Sequence, residues 1–145
     1  MKISKNKFLG MLVFLLISSI SISGQYKDAL INRMNDFRNS VFANVDEGND
    51  FQEKEALRKM EKEWDKELNI VYQKIMKVAD PVTKNKLRNA QRAWIKYRDS
   101  EIENSYYINN PDGGSMGILF SLNTAAKLTE ERAVQLAEMY DALDK

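Results

Sequence analysis

The sequence predicts an all-α fold, a small helical bundle built on one long antiparallel helical hairpin. Apolar residues recur every three or four positions through several long segments, as they do on the buried face of a helix. The period-two alternation that is typical of strands is missing over any useful length. The pair Asp80-Pro81 interrupts the longest helical pattern and leaves almost no room for a loop.

Residues 1–24 are predicted to be a secretory signal peptide. Three lysines precede an apolar run of about 15 residues, and small residues follow before Gln25. The run is short for a bilayer span, which needs roughly 20 residues. We therefore expect cleavage, an exported protein that is periplasmic or secreted, and no stable membrane span afterwards. An uncleaved anchor is the alternative, and a lipoprotein anchor is excluded because the chain has no cysteine.

Residues 25–50 are predicted to be an N-terminal helix and a loop. The helical segment runs from Tyr26 to Val45, and the polar stretch from Asn44 to Asp50 forms the loop. The spacing predicts an apolar face for this helix at Leu30, Met34, Phe37 and Val41.

Residues 51–145 are predicted to be one helical domain that begins with a long helix from Phe51 to Ala79. The opposite side of this helix is charged and includes Glu67. Its predicted buried stripe is Leu57, Met60, Trp64, Leu68, Val71, Ile75 and Val78.

The hairpin is predicted from Asp80-Pro81. Proline disfavours the α conformation in the residue before it, so the first helix ends there. Aspartate is a good N-cap and proline a good first helical residue, so the next helix begins at once and runs back to Tyr106. Its stripe contains polar residues among apolar ones: Leu87, Ala90 or Gln91, Trp94, Tyr97 or Arg98, and Ile102.

The remaining chain is predicted to hold a turn and one more helix. Asn109 to Ser115 contains proline and two glycines and forms the turn. Met116 to Ala126 forms a short helix or an ordered packing loop. Thr129 is predicted to cap the last helix, with a buried stripe at Ala133, Leu136 or Ala137, Tyr140 and Leu143.

The composition excludes several classes of function. The chain has no histidine and no cysteine, so Ser-His and Cys-His triads, disulfides and thiolate chemistry are impossible. No phosphate-binding loop follows a strand, and the acids lie on helix faces rich in lysine and arginine. We expect no enzyme activity, no cofactor, no metal site and no nucleic-acid partner.

The charge is unevenly distributed. Loss of the three lysines of residues 1–24 from 22 basic residues leaves 19 against 21 acids, a net charge of −2. Residues 74–98 carry eight basic residues and one acid, whereas residues 46–67 carry nine acids and five basic residues. Two solvated faces that pair across helices explain this most simply, and a patch for an anionic envelope polymer is the alternative.

Polar residues within the apolar stripes form the predicted site. Amphipathic packing alone does not call for amides and guanidinium groups at these positions. We expect Arg98 to hold either the glycine turn or the neighbourhood of Asp99, with Arg132 or Asn69 completing a network. A network that fixes the turn and a direct ligand-binding site both remain open. The candidate residues are Asn69, Tyr72, Gln91, Trp94, Arg98, Asp99, Gly113, Gly114, Ser115, Thr129 and Arg132.

The same residues resemble the LprI-like lysozyme-inhibitor family of small exported helical proteins. The matching motifs are Leu-Asn-x-x-Tyr from Leu68 and Gln-Arg-Ala-Trp-Ile-x-Tyr-Arg-Asp from Gln91, followed by Gly-Gly-Ser from Gly113 and Thr-x-x-Arg-x-x-x-Leu from Thr129. Members commonly carry cysteines, which this chain lacks.

The resemblance implies a non-enzymatic inhibitor of lysozyme-type muramidases, with lysozyme or another envelope protein as the partner. The turn Asn109 to Ser115 and the acidic segment Asp46 to Glu67 are the candidate contact surfaces. The alternative is an envelope interaction module that binds an unknown protein or an anionic polymer through Lys74 to Arg92.

Overall fold

The structure is a computed structural model that describes residues 24–110 and 114–144. These residues form four α-helices and no strand: α1 at Gln25–Phe42, α2 at Asp50–Val78, α3 at Pro81–Ile108 and α4 at Ser115–Leu143. The predicted all-α bundle is confirmed. Of the predicted signal peptide only Gly24 belongs to the described residues, and Gly113 of the predicted turn lies outside them.

The junction between α2 and α3 has the form that Asp80-Pro81 predicts. The Asp80 carboxylate accepts hydrogen bonds from the backbone N–H groups of Val82 at 2.8 Å and Thr83 at 3.1 Å. These bonds satisfy donors that a helix start leaves without intrahelical partners. Pro81 is the first residue of α3, where its missing N–H does no harm. The chain therefore reverses direction with almost no connecting segment.

Side-chain bonds between helices fix their directions. Ser115, at the start of α4, donates to the Asp50 carboxylate at the start of α2 over 3.1 Å, so both helices begin at the same end. Residues 109–114 alone separate α3 from α4 in the sequence, and Thr124 donates to Ser105 over 2.8 Å, so these two helices are antiparallel. We call the end where α2 and α4 begin the distal end, and the end at Asp80-Pro81 the hinge end.

Helix α4 occupies the centre of the bundle. It packs most extensively against α2 and also against α3 and α1, whereas the backbones of α2 and α3 hardly approach each other. Small side chains on the buried face of α4 permit this close packing. They are Ala125, Ala126, Ala133 and Ala137. Because α3 rests mainly on α4, a groove stays open between α3 and α2.

Helix α1 shares the core of the other three helices. Leu30 and Met34 are almost completely buried and pack with Trp64 of α2 and Leu136 of α4 in one hydrophobic cluster. The Asp141 carboxylate, near the end of α4, accepts hydrogen bonds from the first N–H groups of α1 at 2.9 Å each. The α1 segment is therefore bound to the bundle through apolar packing and through a cap supplied by another helix.

The last helix differs from the prediction. Helix α4 is continuous from Ser115 to Leu143, so Thr129 is not its N-cap and Met116–Ala126 is not a separate element. Thr129 is completely buried, and its hydroxyl donates to the carbonyl of Ala125 over 2.8 Å. This bond to the preceding turn lets a threonine lie inside a helix. The prediction of a helix start at Thr129 is wrong.

Two ends of the predicted stripes are also wrong. Val78 is 50% exposed, and the neighbouring Ala79 is buried in its place. Leu143 is 40% exposed because α4 ends there, beyond the packed part of the bundle. The other residues of the predicted stripe on α2 are buried.

Candidate functional site

An open groove between α2 and α3 holds five of the predicted site residues. Its volume is about 420 Å³. The five residues share the walls of this groove with Leu68 and two further arginines: they are Asn69, Tyr72, Gln91, Trp94 and Arg98. A larger depression of about 640 Å³ between α1 and α4 contains none of the predicted residues. The motifs at Leu68–Tyr72 and Gln91–Asp99 thus meet at one groove, which stays open because α3 packs mainly against α4.

At two positions of the α3 stripe the sequence left open which of two neighbouring residues faces inward, and at both the polar residue does. Of Ala90 and Gln91, the glutamine is buried and the alanine exposed. Of Tyr97 and Arg98, the tyrosine is 53% exposed and the arginine half-buried. A purely apolar inner face would bury the alanine and the tyrosine. Helix α3 is instead rotated about its axis so that the glutamine and the arginine face inward.

Gln91 joins α3 to α4 through Arg132. The Arg132 Nε atom donates to Gln91 Oε1 over 2.6 Å, and its Nη1 atom donates to Gln135 Oε1 over 3.1 Å. Burial lowers the pKa of the Arg132 guanidinium. Among the described residues no carboxylate lies within 4.0 Å of it. A partly buried positive charge therefore stands directly behind the amide that lines the groove.

Arg98 and Trp94 form the wall of the groove on the distal side. The guanidinium carbon lies 5.2 Å from the Trp94 ring centroid, within the range of a cation–π contact. Arg98 also donates from Nε and Nη2 to one oxygen of Asp99 over 3.0 and 2.8 Å. Burial and the nearby Asp65 carboxylate raise the pKa of Glu61, and Arg98 opposes that shift.

Asn69 and Tyr72 form the α2 side. The Asn69 amide nitrogen donates to the Asp65 carbonyl over 2.8 Å and to its carboxylate over 3.1 Å. Tyr72 is half-buried and packs against the hydrophobic core. The predicted network is only partly present among the described residues. Arg98 donates to Asp99, and Arg132 donates to Gln91 and does not bond to Arg98.

The other predicted residues lie elsewhere. Gly114 and Ser115 start α4 at the distal end, and Gly114 has a φ of +155°, which other residues rarely adopt. Thr129 is in the core between α4 and its neighbours. The predicted set therefore divides into a groove, a distal turn and a buried position, and does not form one continuous network among the described residues.

The sequence interpretation missed a partly buried ion pair. Glu67, assigned to the solvated side of α2, is 4% exposed. Arg33 of α1 forms a bidentate ion pair with this carboxylate: Nε donates to Oε1 over 2.9 Å, and Nη2 donates to Oε2 over 2.8 Å. The spacing contained a signal, because Glu67 lies three residues after Trp64 and four before Val71, both on the buried stripe.

Two aromatic rings also gather around a cation at the hinge end. The Lys74 ammonium lies 5.1 Å from the Tyr26 ring centroid and 5.3 Å from that of Tyr140. The two rings contact each other edge to face at 5.2 Å. This lysine, which belonged to the predicted basic surface, is engaged within the fold.

Within residues 24–110 and 114–144, no group of three or more acidic side chains is arranged to hold a metal ion. None of the four helices combines the length and the apolar character that crossing a bilayer requires.

One model of a known protein family matches most of the chain. The model of the family described as "Lysozyme inhibitor LprI" matches residues 43–136. The chain belongs to the LprI family. No curated protein and no solved structure matches it significantly.

The LprI match covers α2, α3 and most of α4, together with the groove between α2 and α3. Helix α1 lies before the matched residues, although it packs in the same core. The resemblance read from the motifs at Leu68–Tyr72 and Gln91–Asp99 is confirmed.

Proposed function

We propose that this LprI-family protein is an exported, non-enzymatic inhibitor of a lysozyme-type muramidase and that it binds the enzyme with its distal end. The observation that carries the proposal is the family match, since the family is described as a lysozyme inhibitor. The distal end is the part of the bundle whose charge and exposed apolar groups best suit a basic protein partner.

Acidic residues are concentrated at the distal end. The connection before α2 and its first residues carry Asp46, Glu47 and Asp50, and the last part of α3 carries Glu101 and Glu103. Between positions 99 and 126 the chain has no lysine or arginine. Lysozymes are typically basic, so this end offers charges of the complementary sign, which speeds encounter and fixes orientation.

Apolar side chains are exposed beside these acids. Phe51 is 73% exposed, Tyr107 65% and Ile108 68%, and Met116 is 49% exposed. Large exposed apolar residues rimmed by polar ones are typical of protein interaction sites. Aromatic anchors also supply much of the affinity of such interfaces.

The bond between Ser115 and Asp50 supports a single contact surface. The turn Asn109 to Ser115 is too small alone for a stable interface of about 800 Å² per partner. The Ser115–Asp50 bond places its last residue beside the start of the acidic segment, at the same end of the bundle. The helix dipole accounts for Asp50 in the first turn of α2, but it does not account for Glu101 and Glu103, which lie towards the C-terminal end of α3.

A titration of the processed protein, residues 25–145, against lysozyme on a cell-wall substrate tests the proposal. We expect inhibition at micromolar concentrations. The variant Glu47→Lys/Glu103→Lys should weaken it at least about tenfold, because both changes turn attraction into repulsion at the contact. The matched control Asp36→Lys/Glu131→Lys alters net charge equally on the α1–α4 side and should retain inhibition within about twofold.

Absence of inhibition at tens of micromolar by the unchanged protein would reject the function. Equal losses in the two charge variants would reject the distal surface, because only the overall charge would then matter. Tyr107→Ala provides a second check, since an exposed aromatic anchor should contribute to affinity without contributing to the core.

The exposed basic residues of the hinge end favour a second candidate function, an envelope module that binds an anionic polymer. Lys77, Lys86, Arg88 and Arg92 are all exposed. Binding of this kind should weaken steeply as salt is added, and salt-independent binding would count against it.

A further inference from the structure

We propose that the α2–α3 groove is a binding site for a carboxylated N-acetyl amino sugar about two rings long. The site is separate from the distal surface, and the proposal does not depend on muramidase inhibition. It follows from the charge, the fixed amides and the shape of the groove.

Two arginines mark the hinge side of the groove as a site for an anion. Arg88 and Arg92 line the groove and are exposed at its rim. Within residues 24–110 and 114–144, no carboxylate lies within 4.0 Å of either guanidinium. The groove's own acid, Asp65, instead accepts from Asn69. Arginine presents a planar fork that matches a carboxylate, so the rim is suited to bind one.

The floor of the groove presents an oriented amide. Gln91 is 8% exposed, and its oxygen is held by Arg132, which leaves its two N–H donors to serve the groove. The Arg132 charge behind it increases the positive potential. Asn69 supplies a second amide on the opposite wall. Two amides facing one space complement the acetamido group of an N-acetyl sugar, which both donates and accepts.

The aromatic wall supplies a flat apolar surface. Trp94 is half-buried, with Arg98 against its ring, and Tyr72 and Ile95 lie along the same groove. The C–H faces of pyranose rings stack on such surfaces. At about 420 Å³ the groove lies at the small end of the range for ligand sites, which suits a disaccharide better than a folded partner.

Binding can be measured with two matched probes on the processed protein. The disaccharide N-acetylglucosaminyl-N-acetylmuramic acid carries a carboxylate. N,N′-diacetylchitobiose, called chitobiose below, lacks the carboxylate but keeps both acetamido groups and is otherwise closely similar. Trp64 is buried and Trp94 lines the groove, so tryptophan fluorescence reports occupancy and Trp94→Phe assigns the signal. We expect a dissociation constant on the order of 1 mM or lower for the carboxylated probe, and binding at least about tenfold weaker for chitobiose.

Paired variants separate the groove from diffuse attraction. Arg88→Ala/Arg92→Ala should weaken binding of the carboxylated probe at least about tenfold and leave chitobiose binding within about twofold. Lys86→Ala/Lys96→Ala removes the same charge from exposed positions of α3 that do not line the groove, and should change binding less than about twofold. Muramidase inhibition should be unchanged in both variants.

Three results would overturn the proposal. The first is equal binding of the two sugars, or no binding at about ten times the expected constant. The second is an equal loss in the arginine and lysine variants, which would indicate diffuse electrostatics. The third is preferential binding of an acetylated acidic tetrapeptide, which would make the groove a peptide site.

Discussion

The ion pair between Arg33 and Glu67 gives the sharpest stability prediction. Glu67 is almost fully buried, whereas the side chain of Arg33 is 49% exposed. Replacing Arg33 by alanine leaves a buried carboxylate without its two charge-assisted hydrogen bonds. Breaking a fully buried pair costs about 3–5 kcal/mol. Because water can reach the half-exposed side of this pair, we expect a loss of about 2–3 kcal/mol in the free energy of unfolding.

The double variant Arg33→Met/Glu67→Met tests the reasoning behind that number. Removing both charges together removes the unpaired carboxylate, so the double variant should lie within about 1 kcal/mol of the unchanged protein. Urea denaturation of the polypeptide of residues 25–145, followed by circular dichroism, measures the free energies of unfolding of the unchanged protein, Arg33→Ala and the double variant. A double variant as unstable as Arg33→Ala would refute the argument, since packing and not charge would then be the cause.

An exposed pair on the same helix provides the control. Lys66 and Glu63 lie one turn apart on α2, with their charged atoms 2.6 Å apart. Lys66→Ala should leave the denaturation midpoint nearly unchanged, because solvent screens such pairs. A loss of stability as large as that of Arg33→Ala would refute the role of burial, because alanine is the better helix former and helix propensity could not account for the loss.

Three further predictions concern the hinge, the distal turn and the groove. Hydrogen bonds from Thr83 lower the pKa of Asp80 in the folded protein. The stabilisation by the Asp80 carboxylate is therefore present above its ordinary pKa of 3.8 and is lost as the pH falls through the lower pKa of the folded state. In acid titrations, the difference in stability between the unchanged protein and Asp80→Ala should close below that folded-state pKa. Gly117→Ala should cost about 1–3 kcal/mol in urea denaturation, because a Cβ there would lie 2.5 Å from Asn110 Cβ, and a neutral result would contradict this packing. Arg132→Lys loses the planar fork and should cost about 1–2 kcal/mol by the same assay, whereas an unchanged midpoint would remove Arg132 from the support of the groove.

Periodicity and the Asp80-Pro81 pair were sufficient to predict most of the fold. The buried stripe of α2 and the hairpin depend on neighbours a few positions apart, and such local signals are present in one sequence. The rotation of α3 was left open between two choices, because the groove that admits Gln91 and Arg98 is created by α4. A partner helix distant in sequence decides which face is inside.

The errors at Thr129 and Glu67 share one physical cause. Thr129 and Glu67 were assigned from residue type, as a cap and as a surface acid. Their spacing on the buried stripes was the better guide, since Thr129 lies four residues from both Ala125 and Ala133. A polar residue can occupy such a position when a bond is supplied, either by the preceding helical turn or by another helix. The sequence pattern shows the position but not the partner.

The cap that Asp141 provides for the start of α1 brings the two ends of the folded chain together. Tyr26 and Asp141 are 115 positions apart in sequence, and their bonded atoms are 2.9 Å apart. A short linker from Asp144 to Gln25 should therefore close the polypeptide of residues 25–144 into a ring. Reopening that ring at Gly48, in an exposed connection, would give a circular permutant that carries new termini at the opposite end of the bundle.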